Sequence, residues 1–366
     1  MKVLFYFGHP SQYLFLRDAI KILREQKNQC DIVIKSKDVL EQLLVESNET
    51  FLNILPEGRK SNKLGIFLGL IKRDIRLSRV LRGKHYDILV GSDPSVAHNG
   101  FMFRIPVITV IEDDIDVIRK LAQLTYPFTS IILTPLGCRT GKYEKKTVHY
   151  FGYMKLAYLH PLRFKKEAPQ LKQPYFLIRL SSLNAYHDEA VRGFSMPVLN
   201  RLINILSKKG KVFISSEGAL DNELKSYELK ISPGKMQQVL ANAEMLISDS
   251  QSMTMEAAML GVPSVRFSDF AGKISVLEDL EHNYGLTFGV PTDHPERLFT
   301  RVNELLTYHE GKIHFQGLRR KMLSDKIDVT AFLVWFIGNF PGSVKIMRNN
   351  PDYQERFKSN QFNKAY

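Results

Sequence analysis

Short apolar runs alternate with amphipathic stretches along this chain, and the alternation occurs twice. In the first half, Lys2 to Phe7, Asp31 to Ile34, Asp87 to Val90, Pro106 to Ile111 and Ile131 to Thr134 read as strands. Tyr13 to Glu25 and Leu64 to Arg82 carry helical periodicity. The pattern restarts near Tyr175. Tyr175 to Leu180, Lys211 to Ser215, Met245 to Ser248 and Ser264 to Phe267 read as strands. Met196 to Lys208, Met236 to Ala243, Pro295 to Tyr308 and Leu318 to Leu323 read as helices. Strands that alternate with helices form parallel sheets, because a parallel pair needs a crossover connection and the helix supplies it. Two such α/β domains are expected, with ligands beyond the carboxyl ends of the strands. Lys155 to Gln173, basic and proline-containing, is the expected linker. The expected division is 1–160, 161–328 and a last segment 329–366. That segment opens with the apolar helix Asp328 to Phe340, which holds the single tryptophan, Trp335, and it ends in a polar tail, Gln361 to Tyr366, expected to fray.

The second half contains Ile247-Ser-Asp-Ser-Gln-Ser-Met-Thr-Met-Glu-Ala-Ala-Met-Leu-Gly-Val-Pro-Ser-Val265. It reads as strand end, polar turn, short helix, glycine stop, proline and next strand. A turn of this kind offers free backbone N–H groups at a helix N-terminus, where the helix dipole also favours an anion. Ser250, Gln251 and Ser252 would hold a pyrophosphate, and Glu256 is close enough to reach a ribose on the same ligand. The same residues also suit a capped helix with no ligand, since any αβ unit needs one.

The chain has 366 residues, of which 44% are hydrophobic, enough for two ordinary cores. It contains no apolar run of about 18 residues, so no transmembrane helix is expected. Met1 to Gly8 reads as a strand entering a turn, too short for a signal peptide. Cys30 and Cys138 are expected as reduced thiols in a cytoplasmic protein, and no Cys/His cluster has zinc spacing. The net charge of +13 favours anionic partners. It concentrates between Arg59 and Lys84, where Leu64, Phe67, Leu68, Ile71 and Ile75 recur at helical spacing. Such a helix either rests on a membrane interface or packs on its own domain with a solvated basic face. No nucleic-acid-binding motif is present, and no nucleic-acid partner is expected.

The Ser-Asp-Ser…Glu-Ala-Ala-x-Leu-Gly-x-Pro run resembles the C-terminal nucleotide-binding motif of GT-B-fold enzymes. These include glycosyltransferases and the non-hydrolysing UDP-N-acetylglucosamine 2-epimerases. Gly152-Tyr-Met-Lys-Leu-Ala-Tyr-Leu-His-Pro161 and Arg179-Leu-Ser-Ser-Leu-Asn-Ala-Tyr-His-Asp188 extend a resemblance to the DUF354 family over most of the chain. The resemblance implies two Rossmann-like domains, an interdomain cleft and a last helix that crosses back to the N-terminal domain. It implies a nucleotide-sugar substrate, UDP-linked by preference, and no bound metal or other cofactor. Glu256 matches the carboxylate that holds the ribose hydroxyls, and the loop Pro233 to Met236, with Gly234 and Met236, matches one that holds the base. Arg179, Ser181 and Ser216 leave neighbouring strands and would face the diphosphate.

The N-terminal domain is expected to supply the acceptor side and the acid–base groups. His9 follows the first strand, Asp93 the third and Glu112 the fourth, and His187 is a second histidine of interest. The carboxylates Glu112 to Asp116 could hold a proton or a cation, or simply cap a turn. Asp93 and Glu112 stand where the epimerases keep catalytic carboxylates. The chain departs from that family elsewhere: its Ser-Gly-Gly turn is Ser250-Gln-Ser252 here, and Ser268 to Lys273 replaces the Thr-Glu-Arg-Pro-Glu segment. The His-Arg-Arg-Glu-Asn motif is absent near Arg179. These departures favour a glycosyltransferase of cell-surface polysaccharide or glycoconjugate assembly over an epimerase or a non-catalytic nucleotide-binding protein. The basic N-terminal half fits an anionic or lipid-linked glycan acceptor and peripheral association with the inner face of the membrane.

Overall fold

The computed structural model describes residues 1–36, 39–57, 63–181, 194–308 and 311–359, apart from the side chains of Lys63, Leu64 and Ile66. The described residues form two compact units, Met1–Tyr158 together with 326–359, and Leu159–Asp325.

The first unit is built on seven parallel strands: β1 (Lys2–Phe7), β2 (Gln29–Lys35), β3 (Phe51–Leu55), β4 (Ile88–Gly91), β5 (Val107–Val110), β6 (Ile131–Pro135) and β7 (Thr147–Tyr150). Their order is β3-β2-β1-β4-β5-β6-β7. β1 and β4 are buried along almost their whole length, as expected for strands covered on both faces. The helices are α1 (Pro10–Glu25), α2 (Leu40–Glu46), α3 (Lys63–Leu81), α4 (Pro94–Phe103), α5 (Arg119–Thr125) and the short α6 (Leu156–Leu159). Chain order reverses between β1 and β4, so this is the topological switch point of the sheet.

The second unit has five parallel strands: β8 (Tyr175–Leu180), β9 (Lys211–Ser216), β10 (Leu246–Ser248), β11 (Ser264–Phe267) and β12 (Thr287–Val290), in the order β12-β11-β10-β8-β9. Its switch point lies between β8 and β10. The helices are α7 (Met196–Ser207), α8 (Met236–Asn242), α9 (Gln251–Leu260), α10 (Ser275–His282), α11 (Pro295–Thr307) and α12 (Gly311–Asp325).

After α12 the chain returns to the first unit as α13 (Val329–Gly338) and α14 (Gly342–Asn349). Asp328 caps α13 by accepting from the Ala331 amide at 3.1 Å. The helix packs on α1, as the resemblance implies. Phe332, Leu333, Phe336 and Ile337 on it are fully buried.

The structure corrects the sequence reading of α3. Its buried side chains are Arg73, Leu77 and Leu81, whereas Phe67, Leu68, Ile71 and Ile75 face solvent. Arg73 is drawn inward by Asp93, with its Nε 3.3 Å from the carboxylate, and that contact fixes which side of the helix meets the sheet. Among the described residues no helix is long and apolar enough to cross a membrane. Cys30 and Cys138 are both free and buried.

Candidate functional site

Of the expected nucleotide residues, Arg179 and Ser181 at the end of β8 and Ser250, Gln251 and Ser252 after β10 stand at the switch point of the second unit. Arg179 on β8 stands in register with Ser248 on β10 and with Ser215 on β9. Directly after β10, Ser250 caps α9 in extended conformation, its hydroxyl accepting from the Met253 amide at 3.4 Å. Ser248 Oγ accepts from the Ser250 amide at 2.8 Å and so shapes the turn from strand to helix. The next amides, on Gln251 and Ser252, have no intrahelical acceptor by helix geometry. Both residues are partly exposed at the helix start. Glu256 is 5% exposed and lies on the second turn of α9, one turn deeper than the residues that open it.

The flanking residues carry definite duties. Arg179 donates to Ser215 Oγ at 2.7 Å and to Glu217 Oε1 at 2.8 Å. Its Nε is buried with no hydrogen-bond partner among the described residues. The Ser181 amide donates to Asp249 Oδ1 at 2.7 Å and ties the end of β8 to the start of the α9 turn. Burial raises the Asp249 carboxyl above its ordinary range, and the Ser181 hydrogen bonds oppose the shift. Ser216 Oγ accepts from the Gly218 amide at 3.2 Å. Gly234 sits in a 3-10 turn, Pro233–Lys235, that leads into Met236 at the start of α8. Ser182 and the stretch Asn184 to Asp188, with His187, lie outside the described residues, as do Arg59 and the tail from Gln361.

Sequence reasoning missed Arg266. It lies on β11 in register with Ser248, yet is 1% exposed. Burial lowers its pKa to about 10, against Glu278 at 3.8 Å and Glu281. Its position in the apolar run Ser264 to Phe267 gave no sign of an ion-paired role.

In the first unit β2, β1, β4 and β5 lie side by side, and Lys35, His9, Asp93 and Glu112 stand at or just beyond their carboxyl ends. His9 caps α1: Nδ1 accepts from the Ser11 amide at 3.2 Å and lies 2.7 Å from Ser11 Oγ. A neutral ring that accepts at Nδ1 keeps its proton on Nε2. Asp93 caps α4 and takes the Ser95 amide at 3.0 Å, Ser95 Oγ at 2.9 Å, Arg73 Nε at 3.3 Å and Lys35 Nζ at 2.7 Å. Burial would raise its pKa, but the Lys35 and Arg73 charges and these hydrogen bonds outweigh it and hold the carboxyl at about 2. The stem of Lys35 crosses Gly8, where a Cβ would come within 2.6 Å of Lys35 Cε.

Glu112 behaves in the opposite way. It is 7% exposed and accepts from the Met154 amide at 2.5 Å, with Lys155 Nζ at 3.3 Å. Burial nevertheless raises its pKa, Lys155 and the amide only partly opposing it. Asp113 is raised by burial too. The rest of the acidic turn is structural: Asp114 accepts from the Arg139 amide at 2.9 Å and Asp116 lies 3.6 Å from both Arg119 and Arg139. Two neighbouring strands of one sheet thus end in carboxyls of contrasting proton affinity. Lys35 and Arg73, which hold Asp93 down, and Lys155, which partly offsets the burial of Glu112, were given no site role from sequence, although Arg73 lies in the basic stretch noted there and Lys155 inside the quoted Gly152 to Pro161 segment.

Solved structures match this architecture over nearly the whole chain. The UDP-GlcNAc 2-epimerase of Neisseria meningitidis, solved bound to UDP-GlcNAc, is 16% identical with a TM-score of 0.66, covering 96% of this chain and 100% of its own. The UDP-GlcNAc 2-epimerase of Methanocaldococcus jannaschii, in complex with UDP-GlcNAc and UDP, is 17% identical with a TM-score of 0.62, covering 87% and 99%. The glycotransferase of kitacinnamycin is 12% identical with a TM-score of 0.57, covering 92% and 98%. The chain has the GT-B fold. No protein-family model matches it and no curated protein does, so the DUF354 resemblance rests on the quoted motifs alone. Within the GT-B plan, the α9 turn follows the strand next to β8, at the point where chain order reverses.

Proposed function

We propose that this protein is a nucleotide-sugar enzyme that binds the nucleotide in its second unit and carries candidate acid–base groups in its first. One observation carries the reading: the N-terminus of α9, with the Gln251 and Ser252 amides opening at the switch point and buried Glu256 one turn below. That arrangement suits a diphosphate on the amides and a ribose on the carboxylate. UDP is the favoured nucleotide, since the epimerases of this fold described above were solved with UDP-GlcNAc or UDP.

The favoured chemistry is epimerase-like, a change from the preference drawn from sequence motifs. An epimerase needs acid and base groups around C2 of one sugar nucleotide, with transient departure of UDP. Glu112, its carboxyl raised above the ordinary range by burial, is the candidate to carry a proton to and from the sugar. Asp93, held ionised by Lys35 and Arg73, would act through its charge. Glycosyl transfer is the second reading, favoured by the replacement of the epimerase turn with Ser250-Gln-Ser252 and of the segment after β11 with Ser268 to Lys273.

Thermal stability against UDP, GDP, CDP, ADP and TDP tests the binding. A ligand at 100 times its dissociation constant stabilises by about 2.7 kcal/mol. UDP is expected to raise the melting temperature of the wild type and not of Glu256→Ala. If no nucleotide shifts the protein, the α9 turn is a structural cap and the reading falls. UDP-GlcNAc incubated alone should then yield its C2 epimer. Intact substrate, turned over only when an acceptor is added, would favour transfer.

A further inference from the structure

We infer that the outer face of α3, α4 and α5 in the first unit is a docking surface for an anionic lipid bilayer. An amphipathic helix of a globular domain normally turns its apolar stripe inward. α3 does the reverse: Phe67 is 59% exposed, Leu68 53%, Ile71 41% and Ile75 48%. The neighbouring elements continue the surface, with Phe101 at 67%, Met102 at 63%, Leu124 at 46% and Phe128 at 37%.

These side chains sit on one connected layer. Asp74 of α3 lies 3.0 Å from His98 Nδ1 of α4, and His98 Nε2 lies 2.9 Å from the Leu124 carbonyl of α5. Phe101 packs edge-on to Phe128 with centroids 5.6 Å apart. Isolated apolar residues on a surface need no explanation, but seven large ones on three adjacent helices, with Phe128 in the 3-10 turn that follows α5, mark a contact face.

Charge selects the occupant. The sequences of α3, α4 and α5 hold seven Lys or Arg and a single carboxylate, Asp74, which is engaged by His98. Along the exposed stripe of α3, Leu68, Ile71 and Ile75 give way to Arg79 and Arg82, both exposed. Exposed Arg104 follows α4, and exposed Lys120 lies in α5. Glu57 engages Lys72 and Arg76, Asp93 holds Arg73 inside, and Asp116 lies beside Arg119, so the charge this face offers outward is that of Arg79, Arg82, Arg104 and Lys120. Aromatic and aliphatic side chains beside these cations suit the headgroup boundary of an anionic membrane. A protein partner of ordinary composition would meet the face with charges of both signs. The inference stands independently of the nucleotide reading.

Co-sedimentation of the full chain with phosphatidylglycerol-containing vesicles at low salt tests it, with phosphatidylcholine vesicles as the neutral comparison. Because net charge alone attracts any basic protein, the deciding variants are neutral: Phe67→Ser with Leu68→Ser, and Phe101→Ser with Met102→Ser. Each pair is expected to weaken partitioning by about tenfold. Ile313→Ser, an equally exposed apolar site in the second unit, should leave it unchanged. Arg79→Gln with Arg82→Gln removes charge without touching an apolar side chain and should also weaken binding, which keeps the test decisive if a serine pair misfolds. Absence of binding to anionic vesicles would overturn the inference. So would binding indifferent to both serine pairs in folded protein. Self-association without vesicles that the serine pairs abolish would assign the face to a second copy of the chain instead.

Discussion

Asp93 receives four hydrogen bonds, two of them from cations, in a site where it is almost fully buried. Removing one partner of a buried ion pair leaves the other charge uncompensated, at a cost of about 3–5 kcal/mol. Asp93→Asn is therefore expected to lower the urea midpoint at pH 7 strongly, because Arg73 stays buried without its carboxylate. The pH dependence has a definite sign. A carboxyl held at about 2 in the folded state contributes stability that is complete above its ordinary value and lost as pH falls through about 2. The gap between wild type and Asp93→Asn should thus narrow from pH 4 downward, over roughly the interval between about 3.9 and the folded value. A gap that stays constant to pH 2 would contradict the ion-pair account. Glu112, by contrast, is raised by burial. Glu112→Gln should leave the UDP-induced melting shift intact and lower turnover of the sugar nucleotide by about 10²–10⁴-fold, the usual range for a positioned acid or base. Loss of the UDP shift in that variant would place Glu112 in binding instead.

Helix α9 shows what sequence can specify at the level of an element. Ser250 at the N-cap, Gly261 in left-handed conformation at φ 68° and Pro263 beyond it are local signals, and each reads the same in sequence and in structure. Gly261 also receives α12: a Cβ there would come within 2.5 Å of Gln316 Nε2, which donates to the Leu260 carbonyl at 2.8 Å. Gly261→Ala is expected to destabilise by about 1–3 kcal/mol, from the strained backbone and the displaced Gln316. A urea midpoint unchanged within error would show that the cap and the α12 contact are dispensable. Other elements were less legible. β3, β7 and β12 are no shorter than β4, β10 or β11, but Asn53, His149 and Gly289 interrupt their apolar character, so no apolar run marks them. α3 was legible as an amphipathic helix but not in its orientation. That depends on Arg73 meeting Asp93, 20 residues away, and no local pattern reports such a contact. The site follows the same division. Ser250, Gln251, Ser252 and Glu256 lie within one motif, whereas Lys35, Lys155 and Asp249 act on residues brought near only by the sheet.

At the scale of the whole molecule, the first unit is discontinuous in sequence, completed by residues that follow the second. The sequence announced the apolar helix around Trp335, and the resemblance implied where it packs. The structure supplies the energetic reason. Phe332 lies 6.0 Å, centroid to centroid, from Tyr150, which stacks in turn at 6.4 Å on Phe15 of α1. Thr330 Oγ1 donates to the Ala157 carbonyl at 2.6 Å, and the Phe151 amide donates to Gln354 Oε1 at 2.7 Å. A chain ending at Asp325 would lose five fully buried apolar side chains of α13 and strip the cover from α1. Each such side chain contributes about 1.5–3 kcal/mol on burial, which together approaches the whole stability of a domain. Truncation there is expected to unfold Met1–Tyr158 while Leu159–Asp325, a compact unit of its own, stays folded. Limited proteolysis followed by mass mapping reads this directly. Rapid loss of fragments from residues 1–158, with a persistent fragment near 159–325, is the expected pattern. Equal resistance of the first unit with and without α13 would mean that the last helices only decorate it, and that β1 to β7 with α1 to α5 form a sufficient core.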